Sequence, residues 1–336
     1  MYQPANNMLI EKLSITGVLS FGPSGMSLSL RRLNVLIGPH GSGKSNLLEV
    51  LSLLQAAPQR LAAPVDVAGG IQDWLWKPAG STASGGAPVV ITATLHSPTG
   101  HPGGTVNHRL TIDANDVRCA PESEAIASGI RLYRECSFGP GSKVRNQPRG
   151  DERSDFLSED FSNLALVLGH RRYLAVKRRM EEEMGRFYEE FVAYHVVPND
   201  GRMQLFLEEE GGRQIPVGRL SDGTLRYFCL LAILLDPEPP PLVAIEEPEL
   251  GLHPDVIPHL AELLLEASER MQLVVTTHSR MLVDALSGVP ESIVVCSKVD
   301  GETRMERLKA EDLREWLEKY TLGNLWSKGE IEGNRW

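Results

Sequence analysis

Residues 33–48 read Leu33-Asn34-Val35-Leu36-Ile37-Gly38-Pro39-His40-Gly41-Ser42-Gly43-Lys44-Ser45-Asn46-Leu47-Leu48, and this stretch decides the fold. The apolar run Val35–Ile37 has the length and composition of a buried strand. Gly38 to Ser45 fits G-x-x-x-x-G-K-[ST], and a helical pattern follows in Leu47, Leu48, Val50, Leu51 and Leu54. Strand, glycine loop and helix is the context that makes this pattern a phosphate site. Glycines let the backbone curl so that successive N–H groups face an anion, and the helix N-terminus adds partial positive charge. The candidate cradle is Gly38, Pro39, His40, Gly41, Ser42, Gly43, Lys44, Ser45 and Asn46. Lys44 would neutralise the β- and γ-phosphates of a nucleotide, and the Ser45 hydroxyl would hold Mg²⁺.

A chain of 336 residues allows one large α/β domain, or one with an inserted lobe. Its 42% hydrophobic content supports a sizeable core. A net charge of −10 argues against a general nucleic-acid binder and leaves room for a local basic face. Cys119, Cys136, Cys229 and Cys296 are scattered with no CxxC pair, which predicts neither a disulfide framework nor a zinc site. Met1–Asn7 is polar without a signal-peptide core, and no run reaches the roughly 18 apolar residues of a membrane helix. A cytoplasmic protein with no membrane partner is expected.

Met8–Gly17 and Leu28–Leu33 read as two strands that pair ahead of the glycine-loop strand. The helix after Ser45 runs to about Gln55, and Pro58, Pro64, Gly69 and Gly70 break the pattern. Val89–His96 and Val106–Ile112 alternate around the Pro/Gly-rich Ser97–Gly104, which predicts an antiparallel hairpin in a lobe beside the main sheet. Ala120–Arg153 is polar and rich in Gly, Pro and Arg, so part of it reads as a mobile loop. Ser158–Tyr194 reads as helical, with Ser162 or Asn163 as a cap and a longer helix over Tyr173–His195. That stretch opens basic (Arg171, Arg172, Lys177, Arg178, Arg179) and closes acidic (Glu181, Glu182, Glu183, Glu189, Glu190). Such blocks usually form a solvated face, the other reading being contact with phosphate backbone or an acidic partner. Met203–Glu209 reads as a strand. The expected organisation is one domain over 1–336, with a discontinuous core of about 1–58 and 200–336 and an inserted lobe over about 59–199.

Leu220-Ser221-Asp222-Gly223-Thr224 opens an apolar helix, Leu225–Leu235. By itself, a capped helix start explains it equally well. The strand Leu242–Ile245 follows, with Glu246 and Glu247 at its C-terminal end, the edge where parallel sheets bind ligands. Adjacent carboxylates there point in different directions. Glu246 is assigned to the metal and Glu247 to the attacking water as general base. Pro248–Pro254 is a loop into a helix carrying Ile257, Leu260, Leu263 and Leu264. A further buried strand, Gln272–Thr276, ends at Thr277-His278-Ser279, where His278 can donate to a γ-phosphate or position the water.

Together these residues resemble the ABC-type ATPase superfamily. Gly38–Ser45 looks like its Walker A motif, Leu220–Thr224 like its signature, Leu242–Glu247 like its Walker B, Pro248–His253 like its D-loop and His278 like its switch histidine. Within it, the strings EEPELGLHP and TTHS and the closing Leu322–Trp336 segment are most similar to RecF/OLD-like ATPases of the AAA-15/AAA-21 kind. The resemblance implies an α/β P-loop NTPase of ABC-ATPase type, with a mainly parallel core sheet, an antiparallel β lobe and a helical insertion. It implies ATP and Mg²⁺ as cofactors and Glu247, His278 and Lys44 as the catalytic set. It also implies a head-to-tail dimer in which Ser221 and Gly223 close the γ-phosphate site of the other copy, so that ATP acts as glue. Two positions depart from the pattern. His40 stands where Asn is commoner, with a small effect expected because the backbone does most of the cradling. Glu246 stands where Asp is usual, and its extra methylene implies slow turnover. Gln72 and Gln147 both remain candidates for the Q-loop glutamine.

A dimerising ATPase that gates a separate effector, such as a nuclease in bacterial defence or DNA maintenance, is the first functional expectation. The stretch after His278 is too short for the TOPRIM nuclease domain of longer OLD proteins and has no D-x-D cluster. The alternative is a DNA-binding clamp like RecF or a coil-less SMC head, with Arg171–Arg179 and the Arg131–Arg153 loop as its footprint. An ABC transporter motor would need a membrane partner, and the long irregular insertion argues against it. A P-loop kinase would have no use for Leu220–Thr224 or His278.

Overall fold

Leu33–Ile37 and Gln272–Thr276 are buried at every position, the pattern of strands inside a parallel sheet covered on both faces. A computed structural model places them side by side. It describes residues 8–56, 71–78, 89–96, 105–112, 117–119, 126, 128–134, 137–152 and 155–331. The Pro58–Gly70 break, the Ser97–Gly104 turn, Cys136, Trp336 and the Met1–Asn7 segment lie outside these residues. The chain falls into two units, residues 1–132, 241–247 and 268–336 in the first, and residues 133–240 and 248–267 in the second.

The first unit opens with β1 (Ile10–Thr16), β2 (Met26–Ser29) and β3 (Leu33–Ile37), then helices α1 (Lys44–Ala56) and α2 (Ile71–Trp74). Strands β4 (Val89–His96), β5 (Thr105–Ile112) and β6 (Val117–Cys119) follow, and β7 (Ile130–Tyr133) runs to the boundary between units. β1 and β2 pair as expected, but β2 ends at Ser29 rather than continuing to Leu33. The cause is Asn34, whose Oδ1 accepts the Arg31 N–H at 2.8 Å while its Nδ2 donates to the Arg31 carbonyl at 2.6 Å. A side chain thereby takes up the backbone of Arg31 and breaks the ladder before β3. β7 lies within the stretch of which part was expected to be a mobile loop, and it is an edge strand with Ile130, Leu132 and Tyr133 buried.

The second unit carries α3 (Leu164–Gly169), α4 (Lys177–Phe187), the antiparallel strands β8 (Phe191–Asn199), β9 (Arg202–Glu209) and β10 (Arg213–Pro216), then α5 (Asp222–Leu234). The expected helix over Tyr173–His195 stops at Phe187, and its last residues form β8. Aromatic and β-branched residues (Phe191, Val192, Tyr194, Val196, Val197) favour the extended chain. Asp200 and Gly201, both with positive φ (47° and 73°), then turn it straight into β9. Asn163 flanks α3 without capping it, because its Oδ1 accepts the Ser158 N–H instead.

The chain crosses back through β11 (Leu242–Glu246) in the first unit and α6 (Ile257–Ser268) in the second. It ends in the first unit with β12 (Gln272–Thr276), α7 (Arg280–Ala285), β13 (Ile293–Val299), β14 (Glu302–Arg307), α8 (Ala310–Leu317) and α9 (Leu322–Ser327). The six-stranded sheet has the order β14-β13-β3-β12-β11-β7, with β13, β3, β12 and β11 mutually parallel and β14 antiparallel on β13. The five-stranded sheet, β2-β1-β4-β5-β6, is antiparallel where its register is defined, including the expected β4–β5 hairpin. Leu47, Leu48, Val50, Leu51, Leu53 and Leu54 of α1 join residues of both sheets in one apolar cluster. Among the described residues, no helix is long and apolar enough to cross a membrane.

One buried polar side chain ties the two sheets together. Gln272, fully buried on β12, accepts the Ile10 N–H at 3.0 Å and donates to the Ile10 carbonyl at 2.7 Å and to the Arg31 carbonyl at 3.2 Å. Gln272→Leu would strand two backbone groups of β1 away from water. It should destabilise the first unit by about 3 kcal/mol in urea denaturation, whereas a loss under about 0.5 kcal/mol would show that the staple is dispensable.

Candidate nucleotide site

The loop leaving β3 depends on glycine at three places. Gly38, Gly41 and Gly43 have φ of 147°, 75° and 101°, a region that side chains with a Cβ rarely adopt. A Cβ on Gly38 would sit 2.2 Å from the Cys296 carbonyl oxygen, and one on Gly43 would sit 2.1 Å from Thr303 Oγ1. The loop is therefore pressed against β13 and β14. Lys44, the first residue of α1, is buried and donates from Nζ to the carbonyls of Gly38 at 2.7 Å and Pro39 at 3.0 Å. Burial pulls its pKa down, against the nearby negative groups that include Glu247 and Glu246. Ser42 Oγ is buried with no hydrogen-bond partner. The first-turn N–H groups of α1 have no partners within the helix. An orphaned hydroxyl, open helix N–H groups and a lysine curled over the loop are the donor set a triphosphate would satisfy.

A brace holds the loop from behind. Ser20 Oγ and Thr303 Oγ1 are 2.6 Å apart, Thr303 Oγ1 donates to the Ser42 carbonyl at 3.0 Å, and Asn46 Nδ2 donates to Ser20 Oγ at 2.6 Å. Asn46, expected in the cradle, thus spends its amide on the brace. Ser20 and Thr303 were not expected at all, since neither belongs to a motif and the two lie at opposite ends of the chain.

The strand register brings the acidic residues to this loop. Glu246 pairs with Thr276 across β11 and β12, and Thr276 pairs with Leu36 across β12 and β3. The Ser45 hydroxyl donates to Glu246 Oε1 at 2.5 Å. Two hard oxygen donors at this spacing suit Mg²⁺, which takes only one or two protein ligands when phosphates supply others. Glu247 follows with a left-handed backbone, φ 44°, its N–H held by the carbonyl (3.0 Å) and Oγ1 (3.3 Å) of Thr276. This bend, rather than simple strand alternation, separates the two carboxylates. His278 Nε2 lies 3.7 Å from Glu247 Oε1. Burial, then the charges of Lys44 and His40, push His278 down to about 4, so its imidazole is neutral at pH 7. The His40 ring stacks on it with centroids 4.3 Å apart and planes 24° apart.

Ser221 and Gly223 belong to the second unit, where the signature-like turn has its own support. Ser221 Oγ accepts the Thr224 N–H at 3.1 Å and caps α5. A Cβ on Gly223 would lie 2.9 Å from the Gly251 carbonyl oxygen, so this position must be small. Arg145, from the Arg-bearing loop, donates to the Gly218 carbonyl at 3.1 Å, the Leu220 carbonyl at 2.8 Å and Asp222 Oδ1 at 2.5 Å. No local pattern marked it. The charge blocks of α4 resolve into pairs one turn apart, Lys177–Glu181, Arg178–Glu182 and Arg179–Glu183, and Arg172 pairs with Asp236. The face is solvated only in part, since Arg178–Glu182 lies at the surface while Glu183 and Asp236, the partner of Arg172, are buried. The Q-loop candidates Gln72 and Gln147 are both exposed, Gln72 on α2 and Gln147 in an irregular stretch of the second unit.

Residues 140–284 match the family described as "AAA domain, putative AbiEii toxin, Type IV TA system". No curated protein matches the sequence significantly. Among solved structures, the chain is similar to an SMC head bound to the C-terminal winged-helix domain of ScpA, at TM-score 0.69 and 17% identity over 90% of this chain and 99% of that one. It is similar to the Smc head of Pyrococcus furiosus bound to the C-terminal domain of ScpA, at TM-score 0.66 and 16% identity over 93% and 99%. It is also similar to the SMC head of Thermotoga maritima, at TM-score 0.56 and 14% identity over 90% and 100%. At these identities the structures speak for the fold. With the family match they support the ABC-type/RecF-like ATPase superfamily.

A histidine at about 4 in the folded chain, against an ordinary value of 6.5, has a consequence for stability. Below pH 6.5 the unfolded chain takes the proton first, so folding free energy is lost as pH falls from 6.5 towards 4. His278→Gln should flatten that slope in urea titrations at stepped pH, and an unchanged slope would contradict the buried, neutral imidazole.

Proposed function

We propose, taking the chain as an ABC-type/RecF-like ATPase, that it binds and hydrolyses ATP with Mg²⁺ and closes on a second copy of itself around the nucleotide. The observation that carries this reading is the contact of the Ser45 hydroxyl with Glu246 at the mouth of the glycine loop. Lys44 exchanges the loop carbonyls for the β- and γ-phosphates, and the backbone of Gly38–Ser45 cradles them. Ser45 and Glu246 would hold Mg²⁺, which supplies charge neutralisation between those phosphates. Glu247, turned aside by its left-handed backbone, takes the proton of the attacking water on its carboxylate. Neutral His278 orients that water or donates to a γ-phosphate oxygen. The longer reach of glutamate at 246 suits slow turnover.

Ser221 and Gly223 of a second copy would complete the γ-phosphate site from the far side, with Arg145 setting the shape of their turn. Nucleotide state is then coupled to a partner protein. The bound ScpA domains of the SMC head structures are the precedent for a protein partner on this fold. For this chain we favour a separate effector, such as a nuclease in bacterial defence or DNA maintenance, in the cytoplasm. A DNA clamp is the weaker reading, because Arg172, Lys177, Arg178 and Arg179 are already paired with acidic side chains.

Glu247→Gln should accumulate an ATP-bound dimer on size-exclusion chromatography, and Lys44→Ala should lose nucleotide binding. Glu247→Gln eluting as a monomer in saturating ATP counts against the sandwich. Arg145→Ala should weaken the ATP-dependent dimer by about tenfold or more, through loss of a charge-assisted hydrogen-bond set, while leaving nucleotide affinity unchanged.

A further inference from the structure

His40 is an exposed residue of the glycine loop, and nothing in the cradle's own geometry requires a ring there. The neighbouring Gly41 has no atom within 4 Å of where a Cβ would lie, so this side of the loop is open. The ring is nevertheless placed face to face with His278, 4.3 Å between centroids and 24° between planes. His278 sits just beyond the end of β12, on a different segment of the chain, with Nε2 3.7 Å from Glu247 Oε1. An imidazole has a face and an edge to be fixed. Here the His40 ring covers the face and Glu247 lies at the edge, so the rotation of His278 is limited from two directions.

We propose that His40 is a positioning residue for His278: the glycine loop that grips the phosphates also holds, through this stack, the imidazole that reads the γ-phosphate. This rests on the ATPase reading above. It reverses the small effect that the sequence led us to expect at position 40. The interaction is ring on ring, so a phenyl ring should serve, whereas asparagine or alanine should not. Freed from the stack, His278 would sample rotamers that point its nitrogens away from the attacking water and the γ-phosphate. Misplacement of a reacting group costs turnover more than binding, because the cradle itself is intact.

The test uses the full chain and the variants His40→Ala, His40→Asn and His40→Phe, with steady-state ATP hydrolysis and equilibrium binding of a fluorescent ATP analogue. His40→Ala and His40→Asn should lower kcat by about tenfold while nucleotide affinity stays within about twofold, and His40→Phe should hold kcat within about threefold of the parent. An activity-independent readout is the imidazole proton shifts of His278 by NMR. Stacking should displace them upfield in the parent and in His40→Phe, and the displacement should vanish in His40→Ala. The proposal is overturned if His40→Ala leaves kcat unchanged, if His40→Phe falls as far as His40→Ala, if affinity drops in place of kcat, or if the His278 shifts ignore the substitution. A parent protein that does not hydrolyse ATP would defeat the ATPase reading, and the NMR comparison would still decide whether His40 sets the His278 ring.

Discussion

The site depends on the register of three parallel strands. Leu36, Thr276 and Glu246 stand opposite one another across β3, β12 and β11, so the strand ends arrive at one level. The ladder continues past those ends, with Thr277 N–H donating to the Leu36 carbonyl at 3.1 Å and Glu247 N–H donating to the Thr276 carbonyl at 3.0 Å. A slip of one residue in either pair would move the glutamates off the loop and turn their side chains to the opposite face of the sheet. Buried on both faces, these strands lack the alternation that would otherwise pin them. The bonds beyond the strand ends supply part of that constraint.

One strained backbone position falls where chemistry is proposed. Glu247 holds a left-handed backbone that costs a non-glycine residue about 1 kcal/mol or more. The two acceptors on Thr276 offset that cost. Behind the loop, Gly38 and Gly43 touch β13 and β14 so closely that no methyl group fits, and the Ser20–Thr303–Asn46 brace fixes the start of α1. The glycine loop is thus held by packing on one side and by hydrogen bonds on the other. Its phosphate-facing donors are left pre-set rather than adaptable, the arrangement that favours electrostatic stabilisation of developing charge.

The second unit shows the same economy with charge. Its charge-rich helix α4 satisfies most of its basic residues one turn along. Arg145 is instead drawn into the signature-like turn, where three backbone or side-chain acceptors converge on one guanidinium. A planar, multi-donor group suits that task in a way that lysine would not. The exposed Trp316 and Tyr320 of the first unit lie beside each other at the C-terminal end of α8, whereas Trp326 packs inside.

The sequence alone determined whatever is set within a few residues along the chain. The glycine loop, the buried strands, the cap at Ser221 and the two strand-end glutamates were legible because backbone curvature, burial period and capping act over three or four positions. The Asp200-Gly201 turn was equally local and was missed, because the charged run before it imitates a helix. Tertiary structure decided the rest. β7 became a strand only by finding an edge, and Arg145, Ser20, Thr303 and the His40–His278 stack took their roles from residues distant in sequence. Such contacts leave no periodic trace, since they depend on which segments the sheet register and core packing bring to the same place.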